Sequence, residues 1–216
     1  VDSLQPNAII FGDGGPGCGW VGDEIGFAGE TNWAMIPSNT VYPGYDKPKQ
    51  LQFGWENGDQ WTPAECDVSI RPGWFYHEKE DSKVKTVDQL CDLYYRSVGH
   101  NATFLLNFPV DRDGLIHPID SANAVNFHKR ILQEMSVNVL KGVTPKVDSQ
   151  QGKNVGKNVN DGKYDTFWAS KKVKGASIEF RLGKEREISR LLLQEYIPLG
   201  PVSKAHLTLH TNSSVN

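Results

Sequence analysis

Between residues 18 and 80 the sequence sets aromatic rings among carboxylates. Trp20, Trp33, Trp55, Trp61 and Trp74 fall in this stretch, and of the six tryptophans only Trp168 lies elsewhere. Asp13, Asp23, Glu24, Glu30, Glu56, Asp59, Glu65 and Asp67 lie in or beside it. Flat rings next to carboxylates suit a sugar, whose C–H faces stack on indole while its hydroxyls bond to Asp, Glu and Arg. Any one of these rings alone is more often core; the cluster points to the sugar. Cleaving a glycosidic bond takes two carboxyl groups flanking it, about 5–5.5 Å apart where configuration is retained. One of them must hold its proton near neutrality, which requires an apolar, partly dry setting. Glu24 meets that description within Trp20-Val21-Gly22-Asp23-Glu24-Ile25-Gly26-Phe27, and Glu30 in Gly29-Glu30-Thr31-Asn32-Trp33 is its nearest rival. Each, taken alone, also reads as a solvated loop acid.

Other chemistries find less support. The six histidines contain no HExxH-like pair, and Cys18, Cys66 and Cys91 are too few and too widely spaced for a zinc site or a disulfide framework. One disulfide with a spare thiol stays open. Gly12-Asp13-Gly14-Gly15-Pro16-Gly17 lacks the Lys-Ser/Thr of a phosphate loop. No metal and no redox cofactor are expected. The 216 residues carry 23 Lys+Arg against 26 Asp+Glu, without the basic excess that a nucleic-acid surface needs. No apolar run approaches the roughly 18–20 residues that span a bilayer, and 38% hydrophobic residues argue against disorder.

The elements that would position these residues read as β/α in the first part of the chain. Ala8-Ile9-Ile10-Phe11 is a short apolar strand running into a glycine-rich loop of the kind that lines active sites in β/α folds. Residues 86–99 read as a helix, with Thr86 and Gln89 forming a capping box and Gly99 at the C-cap. Ala102-Thr103-Phe104-Leu105-Leu106-Asn107-Phe108 reads as a strand buried on both faces. A second helix is expected over 121–135, capped by Asp120 or Ser121, with Ala122, Val125, Ile131, Leu132 and Met135 as its apolar stripe. Composition changes within 138–146. Beyond it, alternating runs over Ala176–Leu182, Ile188–Tyr196 and Ala205–His210 suggest an all-β sandwich. The reading is therefore a first domain over 1–140 and a second, partial one over 141–216. Both ends look cut through folded units, so a piece of a longer protein is expected.

Several segments resemble one family. They are Ala8-Ile9-Ile10-Phe11-Gly12-Asp13-Gly14-Gly15-Pro16, Trp20-Val21-Gly22-Asp23-Glu24, Glu30-Thr31-Asn32-Trp33, Trp61-Thr62-Pro63-Ala64-Glu65-Cys66-Asp67-Val68-Ser69-Ile70-Arg71-Pro72-Gly73-Trp74-Phe75-Tyr76, and Leu105-Leu106-Asn107-Phe108-Pro109 with Asp113-Gly114-Leu115-Ile116. Together they resemble glycoside hydrolase family 29, the α-L-fucosidases, over about residues 5–135, and most closely the subgroup acting on α-1,3/1,4-linked fucose. Residues 153–210 resemble the start of a discoidin-type (galactose-binding-like) β-sandwich. The resemblance implies an α/β fold, the C-terminal part of a (β/α)8-like barrel, followed by that sandwich. It implies a retaining hydrolase in which an Asp attacks the anomeric carbon and a Glu exchanges a proton. Glu24 corresponds to that acid/base. Glu65, Arg71 and Trp74 become candidate sugar contacts, with Trp74 as a platform for the fucose methyl. The Trp-Phe-Asp-Gly-type motif that carries the nucleophile is not in the sequence, and it is expected upstream of Pro6. Asp23 stands where the family usually has Asn; it could raise the pKa of Glu24 or simply face solvent.

The expected partner is a fucosylated oligosaccharide or glycoconjugate, with no nucleic acid and no membrane span. Such glycans usually lie outside cells, so a secreted or periplasmic protein is expected. The rival reading is a non-catalytic protein that binds fucosylated glycans, and an inverting hydrolase is a third. In the sandwich, Asp161 and Asp165 could touch a cation, although packing is the plainer role for that module.

Overall fold

The computed structural model describes residues 3–15, 17–172 and 175–196. They fall into two compact units, one ending at Leu132 and one beginning at Gln133. In the first unit, β1 (Phe11–Gly12), β2 (Cys18–Trp20), β5 (Ala64–Ser69) and β6 (Ala102–Asn107) form a parallel sheet in the order β1-β2-β5-β6. Between β2 and β5 the chain makes a long excursion through β3 (Met35–Ile36), the one-turn helix α1 (Pro48–Leu51) and β4 (Gln60–Trp61). β3 and β4 pair antiparallel, Met35 with Trp61 and Ile36 with Gln60. α2 (Val87–Ser97) crosses from β5 to β6, and α3 (Pro118–Glu134) follows β6. Strands alternating with helices around a parallel sheet make an α/β fold.

Local chemistry explains α2. The Thr86 hydroxyl accepts from the Gln89 amide at 3.3 Å while the Gln89 side chain accepts from the Thr86 amide at 2.9 Å, so the expected capping box is present. Its other end differs from expectation. The chain runs on through a 3-10 turn, Val98–His100, and Asn101 rather than Gly99 takes the left-handed conformation, at φ 62°. Asn tolerates that region better than most residues.

α3 begins at Pro118, earlier than expected, since a proline ring is pre-set for the first helical turn. Asp120 is therefore not its cap but a fully buried residue of its first turn. Its inner face carries Asp120, Phe127 and Ile131, at helical spacing, whereas Val125, Leu132 and Met135 of the expected stripe are exposed.

The sheet has two unlike faces because successive side chains point oppositely. Ala64, Cys66 and Ala102 pack with Val21 and Ala28, and Leu106 joins Ile70, Val84, Leu90 and Phe127. On the other face stand Glu65 and Asp67, beside Thr103 and Leu105 in register. β6 is thus not buried on both sides: Leu105 is 55% exposed. Among the described residues it pairs with β5 alone, and α2 and α3 cover one face of it only.

In the second unit β7 (Lys146–Val147) and β8 (Ile178–Glu179) pair antiparallel. A 3-10 turn spans Gly156–Asn160, and Asn160 Nδ2 donates to the Leu140 and Val143 carbonyls at 2.6 and 2.8 Å. Of the three alternating runs, the first shrinks to β8. Ile188–Tyr196 forms no strand, and Leu191, Leu192 and Leu193 lie exposed among the described residues. Ala205–His210 lies outside the described residues. No helix among the described residues is long and apolar enough to cross a membrane.

Candidate active site

The register of the parallel strands stacks carboxylates on one face of the sheet. Trp20 lies beside Glu65, and Glu65 beside Thr103. One step along, Asp67 lies beside Leu105, and Ser69 beside Asn107 at the C-terminal ends of β5 and β6. Ligands of parallel α/β sheets sit beyond those ends. The loops that leave them carry Glu24, after β2, and Trp74, after β5.

Glu65 is 6% exposed, and neither carboxyl oxygen has a partner among the described residues. Burial, and then the neighbouring Asp67 carboxylate, push it from its ordinary 4.5 to about 7. Asp67 is raised as well, again mainly by burial, against the Trp20 indole that donates to it at 2.8 Å. Asp67 was among the acids noted in the sequence but had no role there. The readable signal was spacing, since Glu65 and Asp67, two apart on a strand, share a face. Between them Cys66 points to the apolar core, and burial followed by the Glu65 charge pushes its thiol up to about 12. Cys18 is raised in the same two ways.

Glu24 is exposed, and its Oε2 accepts a 2.8 Å hydrogen bond from Trp74 Nε1. The turn that delivers it depends on Gly22, whose φ is 89° and where a Cβ would lie 2.2 Å from the Pro48 carbonyl oxygen. Asp23 does not face free solvent. It accepts from the Ile25 amide at 3.1 Å and from the Gln52 side chain, and burial, with a contribution from Asp67, raises its pKa. Its carboxylate folds the loop that presents Glu24.

The remaining candidates are placed differently. Glu30 is exposed farther along the same loop. Arg71 is fully buried: Nε and Nη2 donate to the Asp120 carboxylate at 2.7 and 2.8 Å, and Nη1 donates to Asp81 at 2.9 Å. Its guanidinium lies 4.6 Å from the Tyr76 ring centre. The structure thus corrects the expectation of a sugar contact: these donors hold α3 and the Glu78–Lys83 turn to the end of β5. The indole edge of Trp74 is directed at Glu24. Of the other rings, Trp55 packs with Tyr45 on the Ile36, Val41 and Leu51 cluster, whereas Trp61 is 52% exposed. No group of three or more metal-type side chains occurs among the described residues. Asp161 accepts from the Thr166 hydroxyl and the Lys163 amide of its own turn.

No family model matches the chain. It is 40% identical to Alpha-L-fucosidase 1 of Arabidopsis thaliana over 173 residues, 78% of this chain and 34% of that protein. Its fold is similar to a Bacteroides thetaiotaomicron structure provisionally assigned as an α-L-fucosidase, with TM-score 0.75 and 41% identity over 83% of this chain and 40% of that one. It is similar also to a Ruminococcus gnavus GH29 fucosidase solved in complex with fucose, with TM-score 0.69, 33% identity, and 78% and 35% of the two chains covered. The chain spans about a third of the curated relative.

Proposed function

We propose, for a chain that belongs to glycoside hydrolase family 29, that it supplies the acid/base half of a retaining α-L-fucosidase active site, with Glu24 as the proton donor and acceptor. The observation that carries this reading is the position of Glu24. Its carboxyl stands exposed in the loop at the C-terminal end of β2, with one oxygen held by Trp74 from the loop after β5.

In the first step protonated Glu24 gives its proton to the glycosidic oxygen. The C–O bond breaks, and an Asp carboxylate outside this sequence bonds to the anomeric carbon. In the second, ionised Glu24 takes a proton from water, and the hydroxide formed displaces the Asp and releases fucose with its configuration retained. Glu65 has the buried, proton-retaining character of a general acid. Its oxygens are sealed from solvent, however, and so from a substrate, whereas those of Glu24 are open. The substrate is terminal α-1,3/1,4-linked fucose on glycans, and Trp74, half-buried beside Glu24, lines the approach to it. The same reading assigns the strands of residues 1–140 to the later part of a (β/α)8-like barrel and 141–216 to a partial discoidin-like sandwich. It places the protein in the secreted or periplasmic compartment, where such glycans are met.

The test is Glu24→Gln in the full-length protein, with Glu30→Gln as control. Loss of about 10²–10⁴ in turnover of an α-L-fucoside, with fucose binding kept, is the expected result. Full activity of Glu24→Gln refutes the assignment. An unmutated protein that binds fucose without turning it over is a glycan-binding protein instead. NMR of the first-formed anomer must show α-fucose for retention to stand.

A further inference from the structure

Two indole–carboxylate hydrogen bonds cross between the same two elements in opposite senses. Trp20 on β2 donates to Asp67 on β5, and Trp74 after β5 donates to Glu24 after β2, each at 2.8 Å. The lower bond lies within the sheet and the upper one beyond its end. The loop that carries Trp74 is itself tied down. Asn107 Nδ2 at the end of β6 donates to the Trp74 carbonyl at 3.2 Å and to Ser69 Oγ at 3.1 Å. Ser69 Oγ also accepts from the Arg71 amide at 3.3 Å, and the Ser69 carbonyl accepts from Lys85 Nζ at 2.6 Å. Trp74 is thus a half-buried donor on an anchored loop, aimed at an exposed carboxyl.

We propose that Trp74 is a positioning residue for the acid/base: by holding Oε2 of Glu24 through its indole N–H, it makes Oε1 the oxygen that carries and delivers the proton. This rests on the reading of Glu24 given above. Indole N–H can donate but never accept. The carboxyl oxygen facing it is therefore kept as an acceptor, and the acid proton falls to the other one. When that proton leaves for the glycosidic oxygen, negative charge develops on Glu24. The bond from Trp74 then becomes charge-assisted and stronger, so it favours the transition state over the ground state. A ring that served only as a platform for the sugar would act through its face, and phenylalanine would replace it.

Trp74→Phe and Trp74→Ala in the full-length protein separate these roles, assayed on a fucosylated oligosaccharide and on an aryl fucoside whose leaving group needs little protonation. Losing one hydrogen bond to a charged group in an exposed site predicts a fall of about tenfold in kcat on the oligosaccharide for both variants. KM should stay within about twofold and the activated aryl fucoside should be nearly unaffected. Unchanged kinetics in Trp74→Phe with a raised KM in Trp74→Ala overturns the proposal in favour of a platform. Equal losses on both substrates, with or without a lower melting temperature, also overturn it, because they show a structural role. Glu24→Gln on the same two substrates is read separately: if it spares the oligosaccharide, the acid/base assignment itself has failed.

Discussion

Replacing Glu65 by Gln should remove the pH dependence of stability that this buried carboxyl imposes. The folded protein holds the Glu65 proton up to about pH 7, whereas an unfolded chain releases it near 4.5. Between those values the folded state binds more protons than the unfolded one, so stability falls as pH rises. The contribution is fully present below 4.5, declines through the interval and is gone above 7. Moving the carboxyl over that interval is worth roughly 3 kcal/mol at about 1.4 kcal/mol per pH unit. That is an upper bound, since real interiors relax around a charge. Gln has the shape of protonated Glu and cannot ionise. It leaves polar atoms in the same pocket, where neither Glu65 oxygen has a partner among the described residues. Urea denaturation at pH 5 should therefore give Glu65→Gln and the parent nearly equal stabilities. At pH 8 the variant should be the more stable by about 1–3 kcal/mol. Asp23 and Asp67 are also raised and titrate in the same sense, but they are common to both proteins. Two stability curves that stay parallel from pH 5 to 8 would refute the argument and mean that Glu65 ionises inside the fold.

Two further outcomes are expected. Arg71→Met leaves Asp120 as a buried, unpaired charge and should cost about 3–5 kcal/mol in chemical denaturation, whereas the double variant with Asp120→Leu should recover much of that; a loss below about 1 kcal/mol in the single variant would show that the pair is not sealed from water. Cys66, whose thiol is pushed up to about 12, should resist iodoacetamide at pH 8 in the folded protein and react once urea unfolds it. Modification in the native state, read by mass spectrometry of the Cys66 peptide, would contradict its burial.

Much of the scaffold was legible because its signals are local. The capping box of Thr86 and Gln89 involves residues three apart and set the start of α2 as expected. The apolar run from Ala102 gave β6 for the same reason, and Glu65 and Asp67 were fixed to one face by strand periodicity once β5 formed. Where a rule had two local answers, the chain chose by tertiary fit. Asn101 took the turn expected of Gly99. α3 turned Asp120 and Phe127 inward beside Ile131 and left Val125, Leu132 and Met135 of the expected stripe exposed. Ile188–Tyr196 alternates like a strand, but no layer among the described residues buries its leucines.

The sequence by itself determined which residues could do chemistry: an acidic, tryptophan-rich stretch whose motifs resemble one family and mark Glu24 as the acid/base candidate. Only the tertiary structure decided who meets whom. Trp74 reaches Glu24 across 50 residues, Trp20 reaches Asp67 across 47, and Arg71 reaches Asp120 across 49. Each of those meetings depends on the register of the parallel strands and on how far two loops project past their ends. No short-range periodicity encodes that geometry. It separated two candidate sugar contacts, turning Trp74 toward a carboxyl and enclosing Arg71 among aspartates, and it gave Glu65 a proton to hold near neutral pH by removing it from water.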